Sequence, residues 1–258
     1  MDAKKQNRRI RQRSATVVEI WDLSPTVKGL KLHAEWHMRK SFKAGQWVHT
    51  NIPSINRLGG YTLCNSPLEF SKTGILQLAV KYSDHAPTLW FHEKCKIGDT
   101  ILVEFGGTVF YDPKPQDSQY DLLLIGAGIG MNSLYSILNL VTEREASGVD
   151  KELLPGKVHF MYSSKTKKEL LYKDKLDEME RNHQNISCQY FVTQEKLNEP
   201  NIKDCRINKE DVENAFQMVD KSKCKVFLCL PFEMCNEIED TLLNQDIVID
   251  QIFSINWW

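Results

Sequence analysis

A chain of 258 residues, 41% hydrophobic and 26% charged, has the composition of a globular protein able to bury one or two sizeable cores. Its 33 Lys and Arg against 34 Asp and Glu leave a net charge of -1, without the basic footprint of a nucleic-acid binder. No apolar run is long enough to cross a bilayer, so no membrane span is expected.

The chain opens on a basic stretch, with Lys4, Lys5, Arg8, Arg9, Arg11 and Arg13 set against Asp2. Residues 1–13 read either as an organelle-targeting segment or as a solvated tail. From 14 to 112 the texture is that of short strands. Ala15–Trp21, Lys28–Trp36, Gly45–Ile52, Leu76–Tyr82 and Asp99–Phe105 alternate or carry β-branched and aromatic residues between turn signals, which predicts a small antiparallel barrel. Thr88–Cys95 reads as one short helix within it, with Thr88 near its start. His33 and His37 stand four apart, but on a strand pattern, so no metal site is expected.

Tyr111–Ser118, with Pro113 and Pro115, is a linker, and after it the period changes. Leu122–Ile125 is an apolar run too short for a helix and suits a strand buried on both faces of a parallel sheet. It breaks into Gly126, Gly128 and Gly130, where the backbone can turn sharply and approach a ligand. Leu134, Ile137, Leu138 and Val141 then recur at helical spacing, with Asn132 or Ser133 placed to cap the start. A strand, a glycine turn and a helix N-terminus form a seat for a diphosphate, so Gly126, Gly128, Ile129, Gly130 and Met131 are candidate nucleotide-binding residues. The spacing is Gly-x-Gly-x-Gly, not the full Gly-x-Gly-x-x-Gly, and no acid is clearly placed about twenty residues on to take a ribose.

Further strand patterns at Lys157–Tyr162, Ile186–Thr193, Val226–Leu230 and Ile247–Phe253 alternate with helical ones at Leu170–Arg181, Lys209–Val219 and Phe232–Asn244, which implies a parallel sheet covered on both faces. The expected architecture is therefore an α+β chain of two domains, an N-terminal antiparallel β-barrel over 14–112 followed by a C-terminal α/β domain with a parallel sheet over 118–258. The seven cysteines are odd in number and widely spread, which fits a reducing compartment. Cys224, Cys229 and Cys235 lack the spacing of a zinc or iron–sulfur site.

This order resembles the ferredoxin–NADP reductase superfamily, and most closely its group of oxidoreductase NAD-binding domain-containing proteins. The resemblance rests on Phe42–Val48, on Gly59-Gly60-Tyr61-Thr62-Leu63-Cys64-Asn65-Ser66-Pro67, on the glycine turn and on the terminal Trp257-Trp258. It implies an FAD-binding barrel, with Tyr61 against the flavin ring, Thr62 near its reactive nitrogen and Thr88 beside the phosphates. Gly59 stands where the superfamily has an arginine on the diphosphate, with Arg57 two residues upstream. Cys229, Pro231 and Met234 match the loop beside the nicotinamide, whereas Leu230 replaces its glycine, and a branched side chain there is expected to narrow the site. Ser163, at the start of Ser163–Lys168, falls where the adenosine ribose is read, and the lysines there either attract a 2′-phosphate or form a solvated helix entry, which leaves the choice between NADH and NADPH open. Trp258 matches a terminal aromatic that covers the flavin in some members.

The function implied is hydride transfer from NAD(P)H to FAD, with electrons passing to a separate acceptor, and with Tyr61, Thr62 and Cys229 as the catalytic group. Such chemistry needs no general base. The compartment implied by the basic segment and the family likeness is the mitochondrion. The competing expectation is a nucleotide- or partner-binding protein that keeps the fold without turnover, motivated by the departures at Gly59 and Leu230 and at Ser133, where the resemblance implies a proline after the last glycine.

Overall fold

The computed structural model describes residues 12–36, 41–115, 120–148 and 153–255. Most of the basic segment, together with His37, Trp257 and Trp258, lies outside them.

The first sheet runs in the order β4-β3-β6-β1-β2-β5, every pair antiparallel. Its strands are β1 (Arg13–Ser24), β2 (Val27–His33), β3 (Trp47–Ile52), β4 (Arg57–Thr62), β5 (Ile75–Lys81) and β6 (Thr100–Gly106). An antiparallel bridge between Leu63 and Leu78 joins the β4 end to β5, so the two edges meet and the sheet rolls into a barrel. Val17, Leu30, Leu32, Val48, Ile52 and Val103 fill its interior. Helix α1 (Pro67–Thr73) has sharp ends: the Ser66 hydroxyl accepts the Glu69 N–H, and Gly74 closes it at φ 69°. Helix α2 (Ala86–Glu93) buries Trp90 and Phe91 in the barrel core.

The second sheet is parallel throughout, in the order β10-β9-β8-β7-β11-β12. The strands are β7 (Asp121–Ala127), β8 (Val158–Ser164), β9 (Ile186–Val192), β10 (Ile202–Lys203), β11 (Cys224–Cys229) and β12 (Ile252–Ser254). Side chains of β7 alternate between two cores. Leu122 and Leu124 pack with α3 (Met131–Ser147) and α4 (Lys173–Asn182), and Leu123 and Ile125 pack with α5 (Lys209–Ala215) and α6 (Phe232–Asn244). At the amino end of β7 the buried Asp121 carboxylate accepts the N–H groups of Lys157 at 2.8 Å and Asp220 at 2.6 Å, fixing the starts of three neighbouring strands.

Several expectations shift. Strand β4 and helix α1 were not foreseen as elements, and β12 covers only the end of the strand expected at Ile247–Phe253. Asn132 and Ser133 do not cap α3: the helix starts at Met131 with Gly130 as its N-cap, and both side chains are buried inside the first turn. Thr88 is the third residue of α2, near its start as its place in the pattern suggests, and the helix begins at Ala86 with His85 as its N-cap. No disulfide joins the cysteines among the described residues. No helix among the described residues is long and apolar enough to cross a membrane.

Candidate functional site

In the parallel sheet the chain runs outward from β7 to β10 and then returns to place β11 on the other side of β7. The carboxyl ends of β7 and β11 thus flank a topological switch point, where open α/β sheets bind ligands. A cavity of about 440 Å³ lies there, with Gly128, Ile129 and Gly130 on its wall.

The three glycines serve different ends. Gly126 is held tight under α3, since a Cβ would stand 3.0 Å from Leu134 Cδ1 and 3.3 Å from Met131 Cα. Gly130 lets the start of α3 touch the end of β11, because a Cβ would fall 2.4 Å from the Cys229 carbonyl oxygen and 3.0 Å from its Sγ. Gly128 has φ +53°, and a Cβ there would meet nothing within 4 Å. The open space over Gly128, in front of a helix N-terminus, is the cradle a diphosphate would fill.

Around this turn the cavity is walled by Ser163, Ser164 and Lys165 after β8, Thr193 after β9, Arg206 before α5, and Pro231 and Met234 at the start of α6. The barrel contributes Thr26, Val27 and Lys81. Gly128, Ile129, Gly130 and Ser163 therefore come together on the wall of one cavity. Gly126 and Met131 sit behind the turn, Met131 wholly buried in the core shared with α3. Leu230 neither narrows nor plugs the cavity: it is 1% exposed and packs with Ile238 and Leu242 of α6 on the far face of the sheet. A parallel strand sends successive side chains to opposite faces, and Leu230 follows that alternation. Cys229 is fully buried, its Sγ 3.5 Å from the Ile255 carbonyl oxygen, and is not on the cavity wall.

The barrel residues form a separate group. Tyr61 is 9% exposed, its hydroxyl stands 3.1 Å from Thr88 Oγ1, and its ring meets Phe91 edge-on at 5.1 Å. Burial pushes the Tyr61 phenol up to about 12, with the Thr88 hydrogen bond opposing, so it stays a neutral hydroxyl. The ring also covers Gly59, where a Cβ would lie 2.7 Å from Tyr61 Cε2 and 3.1 Å from Pro87 Cβ. It fills the space that an arginine stem at 59 would enter. Arg57, exposed, shares this face of β4 by alternation. Thr62 and Thr88 are buried, and none of Tyr61, Thr62 and Thr88 lines the cavity. A flat aromatic ring and hydroxyls at the end of β4 and on α2, with a cation at the start of β4, have the chemistry to hold a flavin. Trp258 lies outside the described residues.

Sequence reasoning did not single out Thr193 or Arg206. They come from segments far apart in the chain that meet only at the carboxyl edge of the sheet, and nothing local marks them.

The profile of the oxidoreductase NAD-binding domain matches residues 124–240. The chain is 35% identical to oxidoreductase NAD-binding domain-containing protein 1 of Danio rerio over 248 residues, covering 95% of this chain and 92% of that one. It is 32% identical to the Homo sapiens protein of the same name, over 91% of this chain and 76% of that one. Among solved structures, the ferredoxin NADP+ reductase of Neisseria gonorrhoeae with bound FAD and NADP superposes with a TM-score of 0.76 at 18% identity, over 95% of this chain and 98% of that one. The Amycolatopsis cytochrome P450 reductase GcoB gives 0.77 at 19% identity, over 95% of this chain and 69% of that one.

Proposed function

As the chain belongs to the oxidoreductase NAD-binding domain-containing protein 1 family and has the ferredoxin–NADP reductase fold, we propose that it takes a hydride from NAD(P)H onto FAD and hands electrons to a separate acceptor. The observation that carries this reading is the cavity over the open Gly128, at the switch point of the parallel sheet.

The work of each residue follows from its place. Gly128 and the N-terminus of α3 receive a diphosphate through backbone N–H groups, which are already oriented and need no side-chain ordering. Pro231 and Met234 give an apolar wall at the β11 end, where a nicotinamide would be kept from water. Gly130, by admitting the Cys229 carbonyl, sets the distance between the two strand ends that flank the site. On the barrel, Tyr61 would offer its ring, Thr62 and Thr88 their hydroxyls, and Arg57 its charge, to FAD. When bound, FAD supplies the redox chemistry: it accepts a hydride as two electrons and releases electrons to the acceptor. Holding the two nucleotides in register in a dry cleft is what remains for the protein to do.

A second reading, nucleotide or partner binding without turnover, is favoured by one observation: Tyr61 rests over Gly59 with its hydroxyl on Thr88, away from the cavity wall. One experiment separates the two. The purified chain is mixed with excess FAD, cleared of unbound flavin, and then mixed anaerobically with NADPH or NADH. Bleaching of the protein-bound flavin band supports the reductase. Retained flavin that neither nucleotide bleaches supports the second reading, and failure to retain flavin removes FAD from the proposal.

A mitochondrial location is proposed from the basic segment over residues 1–13. A fluorescent fusion of the full chain that stays diffuse in the cytosol would remove it.

A further inference from the structure

Resting on the reading of the cavity as a pyridine-nucleotide site, we infer that it selects NADPH over NADH, with Lys165 and Arg206 holding the adenosine 2′-phosphate. The placement follows from the sheet. Neighbouring strands lie about 4.8 Å apart, so the carboxyl end of β8 stands one spacing from the diphosphate turn and that of β9 two, within reach of a ribose tethered to the diphosphate. In folds of this type the residue after that second strand reads the ribose: an acid accepts the hydroxyls of NAD, and a cation accommodates the extra phosphate of NADP. Here the sequence is Ser163-Ser164-Lys165-Thr166-Lys167-Lys168, with no acid.

The neighbouring charges sharpen the assignment. Lys167 is held by Glu199 at 2.5 Å, and its N–H donates to Glu195 at 2.6 Å, so that lysine and those acids are occupied with one another. Glu169 accepts the Thr26 hydroxyl at 3.0 Å. Lys165 and Arg206, both exposed and both on the cavity wall, take part in no ion pair among the described residues. The Lys165 backbone is pinned, its carbonyl accepting the N–H groups of Thr193 at 3.3 Å and Gln194 at 2.9 Å. Ser164 is buried beside it, its hydroxyl donating to the Thr166 carbonyl at 2.6 Å, and Thr193, just after β9, adds a hydroxyl on the cavity wall. The acids Glu233 and Glu237 also line the cavity, but on α6, which follows β11 across β7 from β8. Lys165 and Arg206 thus stand together at the β8 to β10 end, where the wall acid Glu169 is engaged by Thr26, while Lys81 lines the cavity from the barrel; a dianionic phosphate is drawn to the paired cations.

The test is equilibrium binding by calorimetry on the full chain, with NADP+ and NAD+ as probes. NADP+ is expected to bind tighter by about tenfold or more, the preference shrinking as salt rises. The double variant Lys165→Ala with Arg206→Ala should erase the preference by weakening NADP+ alone, while Lys165→Arg retains it. Both residues are exposed, and an unchanged melting temperature verifies folding. Equal or tighter binding of NAD+ to the parent chain, or a double variant that weakens both nucleotides alike, would overturn the selectivity and leave the nucleotide site standing. Binding of neither nucleotide would overturn both.

Discussion

Gly128 and Gly130 are two residues apart, and their substitution would fail for different reasons. Alanine at 130 drives a methyl into the Cys229 carbonyl, 2.4 Å away. That overpacking should cost about 1–3 kcal/mol in a denaturant melt. Alanine at 128 meets no protein atom but must adopt φ +53°, a strain of about 1–2 kcal/mol, and its methyl enters the cavity. Gly128→Ala should weaken nucleotide affinity about tenfold or more while the protein stays folded. If it binds nucleotide like the parent chain, the diphosphate does not sit over residue 128. His159 on β8 gives a pH signature. It is 5% exposed with Nδ1 2.8 Å from Ser187 Oγ, and burial lowers its imidazole from 6.5 to about 4. Between those values the unfolded chain binds the extra proton, so stability is whole above about pH 6.5 and falls as pH drops toward 4, by about 3 kcal/mol. Thermal melts from pH 7 to pH 5 should show this slope, and His159→Gln should flatten it.

Among the elements, α3 does most to connect the site with the fold. Its apolar residues Leu134, Ile137, Leu138 and Val141 pack on the sheet, as their spacing foretells. A polar stripe at 132, 136, 139 and 143 runs along another face and meets the barrel. Asn132 Nδ2 donates to the Ala79 carbonyl at 3.3 Å, Ser136 Oγ to that of Asn65 at 2.7 Å and Asn139 Nδ2 to that of Cys64 at 2.9 Å, while Ser66 Oγ donates to Glu143 at 2.6 Å. Asn139→Ala would strand the Cys64 carbonyl and should cost about 1–3 kcal/mol in a urea melt. An unchanged melt would show water replacing the amide. From sequence such a stripe reads as a solvated face, because helical periodicity reports which residues align and not what they meet. The same limit hid β4, whose Gly59 and Gly60 lack strand propensity but pair with Thr50 and His49 of β3. By contrast α1 carried legible marks in Ser66, Pro67 and Gly74, and its brevity concealed it. The glycine turn was readable because its chemistry is local. Lys165 was visible only as one of a basic run, and its separation from the paired Lys167 needed the fold.

At the scale of the molecule, one hydrophobic core takes in residues of both sheets: Val27, Cys64 and Ala79 from the barrel side join Leu134, Leu138 and Phe160. Tyr135 and Tyr172 stack at 4.4 Å beside it, and the Tyr172 hydroxyl accepts from Gln77 Nε2 at 3.3 Å. Together with the α3 stripe this leaves little freedom for one half to swing from the other, so substrate entry is expected through the mouth of the cavity and not by hinge opening. That seam also has a thermodynamic consequence. Two halves sharing a core and a hydrogen-bonded helix face should melt in a single calorimetric transition, and a nucleotide seated over Gly128 should shield backbone amides of β4 from hydrogen exchange although no residue of that strand lines the cavity.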